Sequence, residues 1–187
     1  MIFSRFRRSA RPDTISVLYG MIVAQARLPC FYRDYVVADT VNGRFDLIVL
    51  HLALVLDRLA QEPSLRGLGQ GLFDRFCQDM DHNLREMGIG DLKVPQEMQR
   101  VGEAFYGRAQ AYQAALSADD AGQALVATVA RNIYGGSATA EAAAGRLAAY
   151  IRVLDHDLKA QDVASLAAGA LHLADPGAIP ATTGQRS

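Results

Sequence analysis

The chain contains no tryptophan, only two lysines and only two cysteines among its 187 residues. Cys30 and Cys77 form no Cys-x-x-Cys pair, which excludes a disulfide framework and a cysteine-rich zinc site. Both lie within apolar patterns, so we expect buried free thiols in a reducing compartment. The net charge is only −1, so no global electrostatic field favours nucleic acid, and we expect no DNA partner.

Signatures of strands and of catalysis are also missing. No alternating apolar segments are joined by hairpin turns, and no Gly-x-Ser-x-Gly elbow, phosphate loop or dinucleotide fingerprint occurs. The alternating glycines Gly67, Gly69 and Gly71 follow no strand, so they predict close packing at the start of a helix. We therefore expect a protein that is not an enzyme, with no catalytic residue and no cofactor.

Two patterns that could bind metal fail on their spacing. The run from Asp79 to Asn83 resembles the start of a calcium loop, but Leu84 stands where glycine is needed and Gly90 where glutamate is needed. None of the five glutamates precedes a histidine by three residues, as a di-iron bundle requires. His51 adjoins an apolar stripe, which predicts a hydrogen-bonded histidine on a helix rather than a base. We expect no metal site.

The sequence does contain helical periodicity over most of its length, which predicts an all-α fold, a single-domain helical bundle of about six or seven helices. The predicted helices cover 14–27, a turn after Leu28, the stripe Phe45–Leu59, 65–87, 95–117, a segment from a cap at Ser117–Asp120 to Tyr134, a segment from a cap at Ser137 to Leu158, and a weaker one over 160–173. The predicted organisation is a flexible basic arm over 1–12, a helical domain over 13–174 and a disordered tail over 175–187.

Two interpretations are open for the first thirty residues. A basic segment, Arg5–Arg11, precedes the uncharged run Ile15–Ala26, an order that imitates a secretory signal. The apolar residues of that run also lie near one helical face, with Asp13 or Thr14 as a cap, which favours a first helix of the mature protein. No stretch has the length needed to span a bilayer. We favour the helix, and expect a cytoplasmic protein that can lie peripherally at the inner membrane.

The stretch Phe76–Tyr112 joins two amphipathic patterns across a short joint of glycine and proline. Arg85 and Arg108 lie on the flanking helices, and Asp91 lies within the joint. One interpretation is that the arginines brace the joint by pairing with Asp81, Asp91 or loop carbonyls. The other is that they contact a partner, since arginine and aromatic residues dominate binding hot spots.

Further aromatic and arginine residues gather at predicted joints, and we treat the whole set as candidate partner-binding residues. They are Phe31, Tyr32, Arg33, Arg44, Arg85, Asp91, Phe105, Tyr106 and Arg108.

Three ordered blocks of the sequence resemble the ubiquinol–cytochrome c chaperone family. They are Tyr19–His51, the run LFDRFCQDMDHNLREMGIGDLKVP, and Ala104–Tyr112, and the similarity extends over roughly residues 15–155. The resemblance implies a non-enzymatic chaperone that binds newly made cytochrome b and assists biogenesis of the ubiquinol–cytochrome c reductase complex, respiratory complex III. The short basic arm, without a long transit segment, suggests a bacterial member.

The resemblance also implies partners. Mitochondrial members act with a small partner subunit and associate with the ribosome, so both are expectations here, together with peripheral membrane contact. Leu28–Arg44 and a turn at Phe105–Arg108 have the composition of an apolar surface rimmed by polar groups, as a chaperone for a hydrophobic client needs. Two alternatives stay open: a helical adaptor or envelope protein without a cytochrome client, and a small-molecule helical enzyme.

Overall fold

Helical periodicity is realised along most of the chain. The computed structural model describes residues 12–137 and 140–180, and within these ranges it contains helices and no strand. The α-helices are α1 Pro12–Ala26, α2 Pro29–Arg33, α3 Val41–Ala60, α4 Arg66–Glu86, α5 Val94–Leu116, α6 Ala121–Tyr134, α7 Glu141–Ala160 and α8 Val163–Ala167, with 3₁₀ turns at Pro63–Leu65 and Pro176–Ala178. The predicted all-α bundle is confirmed.

The central element is α3, on which α1, α4, α5, α6 and α7 all pack. Every residue from Leu47 to Val55 is buried, the pattern of a helix surrounded by protein on all sides. The Thr40 hydroxyl caps its first turn by accepting from the Gly43 amide at 3.1 Å. At its other end the buried Arg58 donates to the carbonyls of Leu158 and Gln161, each at 3.0 Å, and so ties α3 to the end of α7.

The helix α1 packs as part of the bundle. It packs against α3 and α4, and it buries Leu18, Tyr19, Ile22 and Ala26. The Tyr19 hydroxyl donates to Asp79 at 2.9 Å. Asp13–Arg33 is long and apolar enough to cross a membrane by those two criteria alone. This corrects the prediction that no stretch has that length, because the apolar run continues through α2. Within the bundle 28% of its most apolar window is buried, and both a core helix and a signal sequence near the N-terminus meet the same criteria.

Helix boundaries follow the local capping chemistry. The Asp120 side chain accepts from the Gln123 amide and starts α6, which ends at Gly135 in the left-handed conformation, as predicted. The predicted cap at Ser137 is wrong for α7, whose N-cap is Ala140. Ser137 contacts the start of this segment through its carbonyl, which accepts from the Ala140 amide at 3.1 Å.

The segment after α7 departs from prediction. The helix expected over 160–173 ends at Ala167, because Gly169 takes a φ of +88° that a helix cannot continue. Pro176 and Ile179 are buried. The prediction of a disordered tail from residue 175 is therefore wrong for residues 175–180. Residues 181–187 of that tail, and residues 1–11 of the predicted arm, lie outside the described residues, and Pro12 already belongs to α1.

The alternating glycines lie at the start of α4, as expected, and Gly69 and Gly71 serve close packing; the prediction is wrong for Gly67, where a Cβ would have no neighbour within 4 Å. A Cβ at Gly71 would lie 2.4 Å from the Ile15 Cδ1 atom of α1. A Cβ at Gly69 would lie 3.7 Å from Leu56 and from Leu59 of α3. The first turns of α4 therefore approach both neighbours closely, which shapes the groove described next.

Candidate functional site

An open groove of about 430 Å³ lies between α3, α4 and α5. Its floor comes from the second half of α3, and its walls come from the start of α4 and the second half of α5. The lining residues are Ala53, Leu56, Asp57, Ala60, Arg66, Gly69, Gln70, Phe73, Phe105, Tyr106, Ala109, Gln110 and Gln113. We call this site the groove.

Aromatic rings form one continuous wall of the groove. The Phe73 ring lies 5.1 Å from the Phe105 ring and 5.5 Å from the Tyr106 ring, measured between centroids. Phe105 is buried, whereas Tyr106 is 61% exposed. The wall therefore runs from the core to the solvent and presents an aromatic anchor at its outer edge.

The rim of the groove is polar and nearly neutral. Gln70, Gln110 and Gln113 supply amides, and Asp57 and Arg66 supply one charge of each sign. The Gln113 amide donates to the Asp57 carboxylate at 2.9 Å, so the acid is already engaged by a neighbour. An apolar interior with a few polar groups at its edge suits an apolar ligand better than a charged one.

Arg108 lies beside the groove in the interface of α5 with α3. Its Nη2 atom is 2.8 Å from the Asp46 Oδ1 atom, and its guanidinium carbon lies 5.7 Å from the Phe45 ring centroid. The contact is a partly buried ion pair. Burial raises the pKa of Asp46, and the Arg108 charge opposes that shift. The prediction that Arg108 braces the joint is wrong, because it fastens α5 to α3.

The interpretation of Arg85 as a brace is confirmed. Its Nε atom donates to Asp81 at 2.7 Å, and its Nη1 atom pairs with Asp91 in the joint. The hydrogen bond from Arg85 lowers the pKa of Asp81. These groups are exposed, so the pairs fix the geometry more than they add stability. Beside them the joint exposes Met87 and Leu92, the latter at 98%.

The predicted residues near α2 lie apart from the groove lining. Phe31 is fully buried, and the Tyr32 hydroxyl donates to the Ala26 carbonyl at 3.3 Å. Arg33 pairs with Asp34 at 2.6 Å, and Arg44 pairs with Asp39 at 2.7 Å. Of the nine candidate residues, the groove brings together only Phe105 and Tyr106. These two lie within α5, so the turn predicted at Phe105–Arg108 is wrong.

Sequence reasoning missed several groove residues. Phe73 lies in the apolar stripe of α4, and the sequence does not distinguish it from the core residues of that stripe. Gln110 and Gln113 follow Tyr106 at spacings of four and then three residues, which places all three near one face of α5. An amide stripe that continues from an exposed aromatic residue was the available signal.

His51 occupies a second, closed environment between α3, α7 and α2. It is fully buried, with Nδ1 2.7 Å from the Leu47 carbonyl and Nε2 2.8 Å from the Tyr150 hydroxyl. The Phe31 ring meets it edge-on at 5.4 Å. Burial lowers the pKa of His51 to about 4, so the ring is neutral near pH 7. The predicted hydrogen-bonded histidine is confirmed.

The remaining candidate groups are the two cysteines and the polar run that begins at Asp79. Cys30 and Cys77 are free and half-buried, and burial raises the pKa of both thiols, which disfavours a reactive thiolate. Asp79 and His82 lie within α4, as their periodicity predicted. Among residues 12–137 and 140–180, no three His, Cys, Asp or Glu side chains are grouped to hold a metal ion.

Comparisons with known proteins agree on the same scaffold. The model of the family described as ubiquinol-cytochrome C chaperone matches residues 33–173. Among solved structures, a crystal structure of the Cbp3 homolog from Brucella abortus superposes with a TM-score of 0.83 and 39% sequence identity, covering 96% of this chain and 100% of that chain. A search of curated proteins finds no match. All residues that line the groove fall within the matched range.

Proposed function

Because the chain belongs to the ubiquinol–cytochrome c chaperone family, we propose that it binds newly made cytochrome b and assists assembly of the ubiquinol–cytochrome c reductase complex. The observation that carries this proposal is the groove, an unfilled apolar site with an exposed tyrosine on its outer wall. The proposed role is binding and not catalysis. A chaperone needs an apolar surface that can be left open and then covered, and the groove meets that need.

The groove suits segments of a membrane protein. Such segments carry apolar side chains and few charges, and the rings of Phe73, Phe105 and Tyr106 offer them contacts without an opposing charge. The side-chain amides at the rim can form hydrogen bonds with the client backbone where the client segment leaves the apolar interior of the groove. This division into an apolar centre and a polar rim is the usual anatomy of a protein interface.

The exposed residues of the α2–α3 connection extend the proposed contact surface. Val36 and Val41 are each 66% exposed, and they are flanked by Arg33 and Arg44, whose charges are already paired. We propose that this surface and the joint at Arg85 and Asp91 contact partners other than the client segment in the groove. A small partner subunit and the ribosome remain predictions for these surfaces, as does a position at the inner membrane.

The groove is tested with one charged substitution and a matched control. Tyr106→Asp places a carboxylate on the aromatic wall, whereas Val153→Asp places one on α7, where Val153 is 40% exposed and outside the groove lining. We expect Tyr106→Asp to reduce capture of cytochrome b by the tagged full chain about tenfold, as loss of one interface anchor does. Val153→Asp should leave capture unchanged. Equal capture by both variants would contradict the groove as the client site.

The function itself is tested in the cell. Deletion of the gene should lower the b-type haem absorbance of membranes and the amount of assembled ubiquinol–cytochrome c reductase, while other respiratory complexes keep their levels. Complementation with wild type or Val153→Asp should restore the complex, and Tyr106→Asp should restore less. Normal levels of b-type haem and assembled complex in the deletion strain would refute the proposed function.

A further inference from the structure

Residues 170–180, which we call the strap, fill a cleft on the side of the bundle that holds His51. The strap has irregular backbone up to the 3₁₀ turn Pro176–Ala178, and it lies against the end of α1, the residues after α2, and α7. Four bundle side chains hold it through five hydrogen bonds. Gln25 donates to the Ala174 carbonyl at 2.7 Å, and Tyr35 donates to the Pro176 carbonyl at 2.6 Å. Arg146 donates to the Ile179 carbonyl at 2.9 Å. Gln161 makes two bonds to His172: it donates to the carbonyl at 2.9 Å and accepts from the amide at 2.8 Å.

Each of these five bonds ends on a backbone atom of the strap. The strap side chains that enter the cleft are apolar, and the buried ones are Leu171, Ala174, Pro176 and Ile179. The charged Asp175 is exposed and caps the strap's own Gly177 amide at 2.8 Å. The cleft therefore holds an extended chain by its backbone and by small or branched apolar side chains. This is the manner in which grooves bind extended peptides, and it demands little of the peptide sequence.

The walls of the cleft are built for an occupant. The Arg146 guanidinium lies 4.6 Å from the Tyr35 ring centroid and also donates to the Asp34 carbonyl at 3.0 Å, so both side chains are fixed in position. Gln25 is fixed in the same way, because its amide also donates to the Tyr150 hydroxyl at 3.0 Å. If the strap left, water would have to replace the carbonyls that the Tyr35 hydroxyl and an Arg146 N–H now bond. Another extended backbone could take the same place.

The strap joins the bundle at a glycine. Gly169 connects it to α8 with a φ of +88°, a conformation that glycine adopts without strain. Rotation at this residue would release the strap while α7 and α8 stay packed. The cleft can therefore exchange occupants without a change in the core.

We propose that this cleft is a second binding site, which takes an extended apolar segment of the client polypeptide, and that the strap occupies it between clients. The inference rests on the proposed function for the source of that segment. The cleft itself is a site for extended peptide and can be tested without cytochrome b.

The test uses the full chain and a fluorescent synthetic peptide with the sequence of residues 170–180. Ile179→Asp weakens the strap without altering a cleft residue, because it places a charge where an apolar side chain is now buried. We expect the Ile179→Asp chain to bind the peptide at least about tenfold more tightly than wild type, in which the strap competes. Val153→Asp carries the same added charge outside the cleft and should bind as wild type does. Peptide binding that is equal in wild type and Ile179→Asp would overturn the proposal.

Two further measurements make the result specific. Adding Arg146→Met to the Ile179→Asp chain should lower peptide affinity about tenfold, since a donor to the peptide backbone is lost; unchanged affinity would mean that the peptide binds elsewhere.

If Ile179→Asp does not fold, hydrogen exchange on wild type decides instead. Excess peptide should speed exchange of the His172 amide and leave the amides of α3 protected, and unchanged exchange at His172 would reject the cleft.

The outcome is separable from that of the proposed function. If cytochrome b capture depends on Tyr106 but the peptide does not bind, the second site is wrong and the chaperone function stands. If the peptide binds but the deletion strain assembles a normal complex, the cleft is real and its client is a different protein.

Discussion

The molecule has two apolar clefts, and they differ in what their walls offer. The groove between α3, α4 and α5 presents rings and amides, and its one rim carboxylate is already bonded by Gln113. The cleft under the strap presents donors from Gln25, Tyr35 and Arg146, which point at a backbone. The rim carboxylate of the groove therefore has its partner within the bundle, whereas the donors of the strap cleft bond backbone carbonyls of the strap. The strap supplies its cleft with both apolar contacts and hydrogen-bond acceptors.

Two glycine substitutions compare the packing at the start of α3 with the packing at the groove, and the larger loss of stability is expected at the start of α3. A Cβ at Gly43 would lie 2.0 Å from the Ala38 carbonyl oxygen, so Gly43→Ala must displace the backbone that connects Tyr35 to α3. We expect a loss of about 3 kcal/mol in the free energy of unfolding, the upper end of overpacking costs. Urea denaturation followed by circular dichroism measures it.

The matched control lies beside the groove. At Gly69 a Cβ would make ordinary contact at 3.7 Å with Leu56 and Leu59. Gly69→Ala should therefore raise the free energy of unfolding by about 0.5 kcal/mol, because alanine loses less backbone entropy in a helix. A Gly43→Ala chain as stable as wild type would contradict the close approach of Gly43 to the Ala38 carbonyl.

The second prediction concerns pH, because His51 is buried behind the strap cleft, where it shares the Tyr150 hydroxyl with Gln25. The pKa of His51 falls from 6.5 to about 4 on folding, so between these pH values the unfolded state binds a proton that the folded state does not. Stability from neutral His51 is complete above pH 6.5 and is lost as the pH falls toward 4. The loss by pH 4 should be about 3 kcal/mol, since each pKa unit corresponds to about 1.4 kcal/mol.

The His51 contribution is isolated by difference. Urea denaturation of wild type and of His51→Gln at several pH values from 7 to 4 gives two curves, and the carboxylates of the protein contribute to both. The wild-type curve should fall more steeply than the His51→Gln curve below pH 6.5. Parallel curves would mean that His51 is not buried as a neutral ring.

The two sites also differ in how far the sequence could predict them. Periodicity predicted α3, α4 and α5 to within a few residues, because each has a strong apolar stripe. The groove is the part of these apolar stripes that no neighbouring helix covers. The sequence around Phe73 does not indicate that this residue is uncovered. The exposure of a side chain at the groove depends on the distance between neighbouring helices, which the glycines of α4 set here. The apolar pattern of a single helix carries no information about that distance.

The strap was the least predictable element. Residues 170–173 were predicted as the end of a weak helix, and the proline and glycine content of residues 175–180 suggested a tail. What holds it is a set of side chains that are distant in sequence, with Tyr35 and Pro176 separated by 141 positions. Since these side chains bond backbone atoms, no complementary residue in the strap marks the contact. Arg85 was predictable because Asp81 lies one helical turn away on the same helix.

The smallest effects are expected from the hydroxyl groups of two tyrosines, one at each site. Tyr35 is fully buried, and its hydroxyl donates to the Pro176 carbonyl at 2.6 Å. Tyr35→Phe should lower the free energy of unfolding by about 1 kcal/mol, because a buried carbonyl loses its donor. Tyr106 is 61% exposed, so Tyr106→Phe should change stability by less than about 0.5 kcal/mol. Urea denaturation of both variants under one condition makes the comparison. If Tyr106→Phe costs as much as Tyr35→Phe, the groove hydroxyl is engaged in the fold, and the distinction between a filled and an open site fails.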